Sequence, residues 1–141
     1  MARIFLLITA LVLSGPLQAD ILVIVNARNA VESLEKKQVV DLFMGRVSSF
    51  PGGAPAQTLD LRPGSPLRAD FYRRLTGKSE AQVDAYWATL VFAGRMSPPK
   101  QFSDDKQLIN EVGKDPAAIA YVARQPLPAG VKVVMELPRP R

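Results

Sequence analysis

Cysteine and histidine are both absent from the 141 residues. Without them the chain has no thiol nucleophile, no disulfide, no imidazole base and no thiolate or imidazole metal ligand. Carboxylate, hydroxyl, amine, guanidinium and phenol groups are the only side-chain chemistry left. The missing cysteines leave the redox compartment open, because an oxidising or a reducing environment suits such a chain equally. Acidic residues are also in short supply, 13 against 18 basic ones. That surplus is too modest to point to nucleic acid. What is present is an ordinary globular mixture, 48% hydrophobic and 22% charged, which excludes whole-chain disorder. The length fits one domain and falls short of two full lobes.

The first 19 residues read as a segment apart from the fold. One charge, Arg3, precedes an apolar run from Ile4 to Leu13, a Ser14-Gly15-Pro16 break and a small residue at Ala19. This is the pattern of a secretory signal peptide, although Leu17 is bulkier than usual three positions before the cut. The run is about ten residues, short of the roughly 20 needed to span a bilayer. Cleavage before Asp20 removes Arg3 and lowers the formal net charge from +5 to +4. The expectation is an exported, periplasmic protein whose remaining chain has no segment able to cross a membrane.

From Asp20 onward, strand and helix signals alternate. Ile21 to Val25 is a β-branched run that reads as a strand buried on both faces. Ser33 is the expected cap of a helix running to Phe43 and ended by Gly45. Gln57 to Leu61 is a weak strand signal after the Pro51-Gly52-Gly53 turn. Ser65-Pro66 starts a helix with Leu67, Phe71 and Leu75 on one stripe, and Gly77 stops it. Ser79-Glu80-Ala81-Gln82 is a capping box leading into Val83, Tyr86, Trp87, Leu90 and Val91, an apolar stripe of helical period. Ser103 is the expected cap of a helix around Leu108, and Ala118–Val122 and Val131–Met135 are the last strands. A tail of residues 136–141 follows, proline-rich and frayed. The order β-α-β-α-α-α-β-β predicts one α/β unit with a mixed sheet flanked by helices, over residues 20–135.

The stretch Asp60-Leu61-Arg62-Pro63-Gly64-Ser65-Pro66-Leu67-Arg68 carries the most chemistry. A strand end, a glycine turn and a helix start meet there. Unpaired N–H groups and the helix dipole attract an anion to such a point. Gly64 lets the backbone approach a ligand, Ser65 can donate a hydroxyl, and Arg62 or Arg68 can make a charge-assisted contact. The Leu67 and Arg68 N–H groups complete the set. In the other reading, Ser65 only caps its own helix and the arginines are solvated; the residues alone leave both open. Arg68 stands in a first turn, where the dipole disfavours a cation, so its removal is expected to leave folding intact. Arg73, Arg74 and Lys78 read as a solvated face, with Asp70 placed to pair with Arg74. Asp104-Asp105 point about 100° apart on a helix and suit its first turn rather than a metal.

Read together, the chain resembles the periplasmic phosphate-binding protein-like family, the solute-binding components of phosphate ABC transporters. The resemblance rests on Val25-Asn26, Asn29-Ala30-Val31, Ser33-Leu34, Val40-Asp41-Leu42-Phe43-Met44-Gly45-Arg46, Gly64-Ser65-Pro66-Leu67-Arg68-Ala69-Asp70-Phe71, Tyr86-Trp87, Phe92-Ala93-Gly94, Pro98-Pro99 and Pro116 to Val122, in that order. It implies one lobe of a type II periplasmic binding protein-like fold, where two lobes close on a ligand. It also implies a phosphate or similar oxyanion site and a link to ABC-type transport or sensing. Arg62, Gly64 and Ser65 match the family's ligand turn and Arg68 its following basic position, whereas Pro66 and Leu67 match nothing polar. The family turn Gly-Ser-Gly-Thr is here Gly64-Ser65-Pro66-Leu67, which deletes one N–H donor and one hydroxyl. The opposing lobe is missing, so the site it implies is weak, or is completed by a homodimer. The alternative is a partner-binding module with a degenerate ligand site, facing an envelope or transporter protein. Without His or Cys, a nucleophile–base pair could be assembled only through Lys or a carboxylate, for which there is no recognisable motif. The resemblance implies neither enzyme activity, nor a cofactor, nor a metal.

Mass spectrometry of an envelope fraction should find an N-terminus at Asp20. A cytoplasmic protein that retains Met1 would contradict the expected export.

Overall fold

The structure, a computed structural model, describes residues 19–141. The expected signal peptide therefore lies outside the described residues, apart from Ala19.

The apolar run Ile21–Val25 forms β1 (Ile21–Asn26), and all six of its residues are buried. Such a strand needs a neighbour on each side and cover on each face. It pairs antiparallel with β4 (Ala118–Ala123) and with β5 (Val131–Leu137), with a bulge between Val23 and Ile24 on the β5 side. Beyond β4 lie β2 (Gln57–Leu61) and β3 (Lys100–Phe102), both parallel to their neighbours. The sheet order is β3-β2-β4-β1-β5. It is the mixed sheet flanked by helices that the sequence predicts.

Four helices connect the strands: α1 (Lys36–Phe43), α2 (Pro66–Thr76), α3 (Glu80–Phe92) and α4 (Asp105–Lys114). Ser65 caps α2, with Pro66 in its first turn. Gly77 closes α2 at φ 73°, a left-handed position that suits glycine. Ser79 and Gln82 make the reciprocal capping box of α3. From β2 the chain moves outward to β3 through α2 and α3. From β3 it moves back past β2 to β4 through α4. Crossovers in opposite directions, both right-handed, put α4 on the face opposite α2 and α3.

Phe43, Phe71, Tyr72 and Tyr121 fill the space between the sheet and α1 and α2. Phe71 stacks on Tyr121 at 3.8 Å, and Phe43 meets Phe71 edge-on at 4.9 Å. At the start of the α1–β2 connection, Gly45 has φ 70° and lies against Trp87 and Met96. A Cβ there would fall 2.6 Å from the Trp87 ring.

Five local expectations are corrected. Glu35, not Ser33, caps α1, through a capping box with Gln38. The Leu34 N–H bonds the Val134 carbonyl, holding that stretch against β5 until the helix starts. Asp104, not Ser103, caps α4. β5 continues to Leu137, whose side chain is buried, and the Arg139 N–H bonds Asp20, so the tail expected from 136 begins later. β3 was not foreseen. On α3 the stripe is narrower than expected: Val83 and Trp87 are buried, but Val91 is exposed.

Trp87 is the sole tryptophan and is 7% exposed. Trp87→Ala should cost about 3–5 kcal/mol in denaturant unfolding, as other large-to-small core changes do. A loss under about 1 kcal/mol would mean that the ring is only a surface contact.

Candidate functional site

The sequence Gln57-Thr58-Leu59-Asp60-Leu61 buries its last three residues, so β2 carries a carboxylate into the core. Asp60 is 2% exposed. Four donors meet it. The Tyr121 hydroxyl from β4 makes a short hydrogen bond, and the Tyr72 hydroxyl from α2 donates at 2.7 Å. The Leu61 N–H donates at 2.8 Å and Arg68 Nε at 3.3 Å.

Arg68 is also 2% exposed. Its Nη2 donates to Asp84 at 2.8 Å, its Nη1 is 3.5 Å from Glu80, and its guanidinium lies over the Tyr72 ring. Burial lifts the Asp60 carboxyl above its ordinary range, and the Tyr121 hydroxyl and the Arg68 charge pull it back. For Arg68, burial works against the charge, but Asp60 and Asp84 outweigh it and hold the guanidinium protonated. The two effects on Asp60 oppose one another. Four donors converge on it, one of them a guanidinium that does not release its proton, so the pair is ionised at neutral pH. Burial and the Asp60 charge also raise Tyr72 and Tyr121 well above the ordinary phenol range, keeping both neutral.

The turn above this network is tied to it. Glu80, at the start of α3, accepts from the Gly64 N–H at 2.7 Å. The Ser65 oxygen accepts from the Arg68 N–H, and the Ser65 N–H donates to the Arg62 carbonyl. Pro66 has no N–H to give. The Leu67 N–H, in the first turn of the helix, has no intrahelical acceptor. Arg62 is exposed and forms no ion pair among the described residues.

Arg62 also lines a polar cavity of about 390 Å³ with Phe102, Ser103, Gln107, Asn110 and Glu111. The cavity opens at the carboxyl ends of β2 and β3. The connection from β2 runs outward to β3, and the one from its other neighbour, β4, runs the opposite way to β5. In open α/β sheets such a switch point, here between the carboxyl ends of β2 and β4, is where ligands bind, and the Arg62 cavity stands beside it.

The five residues singled out from sequence therefore separate into two groups. Arg62 lines the cavity, the Ser65 oxygen caps α2, and the Leu67 N–H has no acceptor within the helix. The Gly64 N–H already holds a carboxylate, and Arg68 points into the core. Arg68 is neither the solvated residue nor the ligand contact that the sequence suggests. It is an ion-pair partner, and the expectation that folding tolerates its removal is corrected. Sequence reasoning missed Asp60, Tyr72, Tyr121, Glu80 and Asp84. A signal was available: Arg68, Phe71, Tyr72 and Leu75 follow the spacing of one helical face, and all four are buried. Asp104 and Asp105 are separated as expected, one capping α4 and the other accepting from Gln125. Arg74 pairs with Asp70 at 2.7 Å and also donates to the Leu137 carbonyl.

No family model matches this chain, and no curated protein matches it. Solved structures do. A protein assigned as a phosphate ABC transporter substrate-binding protein, solved with bound phosphate, from Clostridium perfringens superposes with a TM-score of 0.63 at 21% identity. The match covers 82% of this chain and 45% of that one. An ABC-type phosphate transport receptor from Vibrio cholerae gives 0.64 at 14% identity, covering 83% and 46%. PstS from Borrelia burgdorferi gives 0.63 at 10% identity, covering 82% and 47%. At these identities the likeness is one of fold. The chain spans a little under half the length of these structures.

Removing one partner of a buried ion pair strands the other charge. Arg68→Met should therefore cost about 3–5 kcal/mol in denaturant unfolding. A change below about 1 kcal/mol would mean that Asp60 is satisfied by its tyrosines alone.

Proposed function

We propose that this chain is an exported, solute-binding-like lobe that takes phosphate or a similar oxyanion weakly, in ABC-type transport or sensing. The observation that carries the reading is the position of the Arg62–Arg68 turn. It follows the carboxyl end of β2, one of the two strands that flank the switch point, in a fold shared with solved phosphate-transport proteins. An anion seated there meets the Arg62 guanidinium, the Ser65 hydroxyl and the Leu67 N–H. Asp60 and Arg68 take no part in contact; they hold α2 and the turn in position. Binding, rather than catalysis, is the role. The perturbed groups Asp60, Tyr72 and Tyr121 are buried, and none of them lines the cavity at Arg62.

Affinity is limited from two sides. Pro66 removes one donor, and Glu80 places a carboxylate beside the anion. The crevice is also open, so water screens what contacts remain. A dissociation constant between micromolar and millimolar follows. A second copy of this chain, or a transporter or envelope protein, would close the crevice. The periplasm is the compartment where such a lobe acts.

One observation favours a second reading, the partner-binding module with a degenerate ligand site. The Gly64 N–H is already satisfied from within the chain, and the Phe92 side chain is 95% exposed.

Calorimetric titration of phosphate and of sulfate separates the two readings. The wild type should release or absorb heat with a midpoint in the micromolar to millimolar range. Arg62→Ala should weaken binding roughly tenfold, the loss of one charge-assisted hydrogen bond. Glu80→Gln should strengthen it by removing the competing carboxylate. No heat at millimolar anion, or equal affinities in all three proteins, would rule out the oxyanion reading.

A further inference from the structure

The edge of the sheet at β3 has main-chain groups that no strand of this chain occupies. The Phe102 carbonyl accepts from the Arg62 N–H on the β2 side at 3.0 Å. Successive residues of a strand direct these groups to alternate sides, so the Gln101 N–H and carbonyl face away from β2. β3 is the last strand in the order, and Lys100 and Gln101 are exposed.

A cavity of about 280 Å³ lies beside this edge, between β3 and α3. Trp87, Ala88, Val91, Pro98 and Pro99 form its apolar walls. The Trp87 Nε1 is buried without an acceptor. The large hydrophobic side chains left exposed among the described residues are Val47, Val91 and Phe92. Val91 lines the cavity and Phe92 follows it. Arg62 and Lys100 are exposed cations at the same edge, and neither makes an ion pair among the described residues.

We propose that the β3 edge docks an extended segment of a partner protein, in which apolar residues alternate with acidic ones. The partner's main chain pairs with the outward N–H and carbonyl of Gln101. The residue opposite Gln101 shares its face of the sheet and enters the cavity against Val91 and Trp87, because side chains alternate along a strand. The acidic residues meet Lys100. With only three residues in β3, the main-chain bonds are few, so the cavity and the charges supply most of the affinity and the preference. This inference deepens the partner-module reading and does not depend on whether an anion binds the turn.

A random linear peptide library displayed on phage, selected on the folded protein and counter-selected on Gln101→Pro, tests it. Proline is tolerated where a strand N–H faces outward, and it removes that donor. Enriched peptides should alternate apolar and acidic residues. A synthetic copy of one should shift the emission of Trp87 and slow hydrogen exchange at the Gln101 amide. Its affinity should fall at least tenfold in Gln101→Pro and in Val91→Glu, and be unchanged in Ser65→Ala. Should Gln101→Pro fail to fold, Val91→Glu serves as the counter-selection protein.

Four results would overturn the proposal. One is no enrichment over the counter-selection protein. Another is enriched peptides without the alternation. A third is a Gln101 amide left unprotected by the bound peptide. The last is a dimer in sedimentation that dissociates in Gln101→Pro, which would assign the edge to a second copy of this chain. Because Ser65→Ala reports on the turn and Val91→Glu on the edge, the failure of either reading is separable from the other.

Discussion

One buried charge organises the half of the molecule that faces the crevice. Asp60 receives β4 through Tyr121 and α2 through Tyr72 and Arg68. Arg68 then reaches α3 through Asp84 and Glu80, and Glu80 reaches the turn through Gly64. Two strands, two helices and a loop are thus held by a chain of hydrogen bonds that starts at one carboxylate. Burying such a pair in place of apolar side chains is often no gain in stability, but it is directional in a way that apolar contact is not. Here the direction fixes how α2 and α3 sit on the sheet, and with them the geometry of the turn.

The same network sets what the turn can do. A helix start with a glycine ahead of it attracts anions through its free N–H groups. In this chain, one of those groups is met by Glu80 and another is missing at Pro66. The cation that could have faced a ligand lies instead among three carboxylates. The fold is shared with solved phosphate-transport proteins across a little under half of their length, and fold alone does not carry function. In the oxyanion reading proposed above, the contacts left to a ligand are Arg62, Ser65 and the Leu67 N–H, a sparse set.

How much of this could be read from residues depended on whether the signal was local. Ser65-Pro66 and Ser79-Glu80-Ala81-Gln82 mark helix starts because each cap bonds a backbone group within three positions. β1 was legible because five consecutive apolar residues have only a core strand to go to. β3 was not, since Lys100-Gln101-Phe102 has neither alternation nor length and exists as a strand only because β2 lies beside it. Ser33 carried a cap signal but lost to Glu35, whose Gln38 partner closes the box from the other side. The centre of the candidate site failed for a different reason. Asp60 and Arg68 are eight positions apart and read separately as surface residues. Only packing shows that each removes the other's cost of burial. The position of Arg68 on the face of Phe71, Tyr72 and Leu75 was the one clue that the sequence carried.

The placement of β1 has a consequence in time. Among the described residues β1 pairs with β4 and β5 alone, the two strands farthest from it in sequence. Ile21 is matched to Ala123 on one side and Leu137 on the other. The centre of the sheet therefore cannot close until almost the whole chain is available. Contacts of such large sequence separation also make folding slow, because loop closure precedes the reward of pairing. A nascent chain of this topology stays open and threadable until its final strand emerges, whichever compartment that strand emerges into.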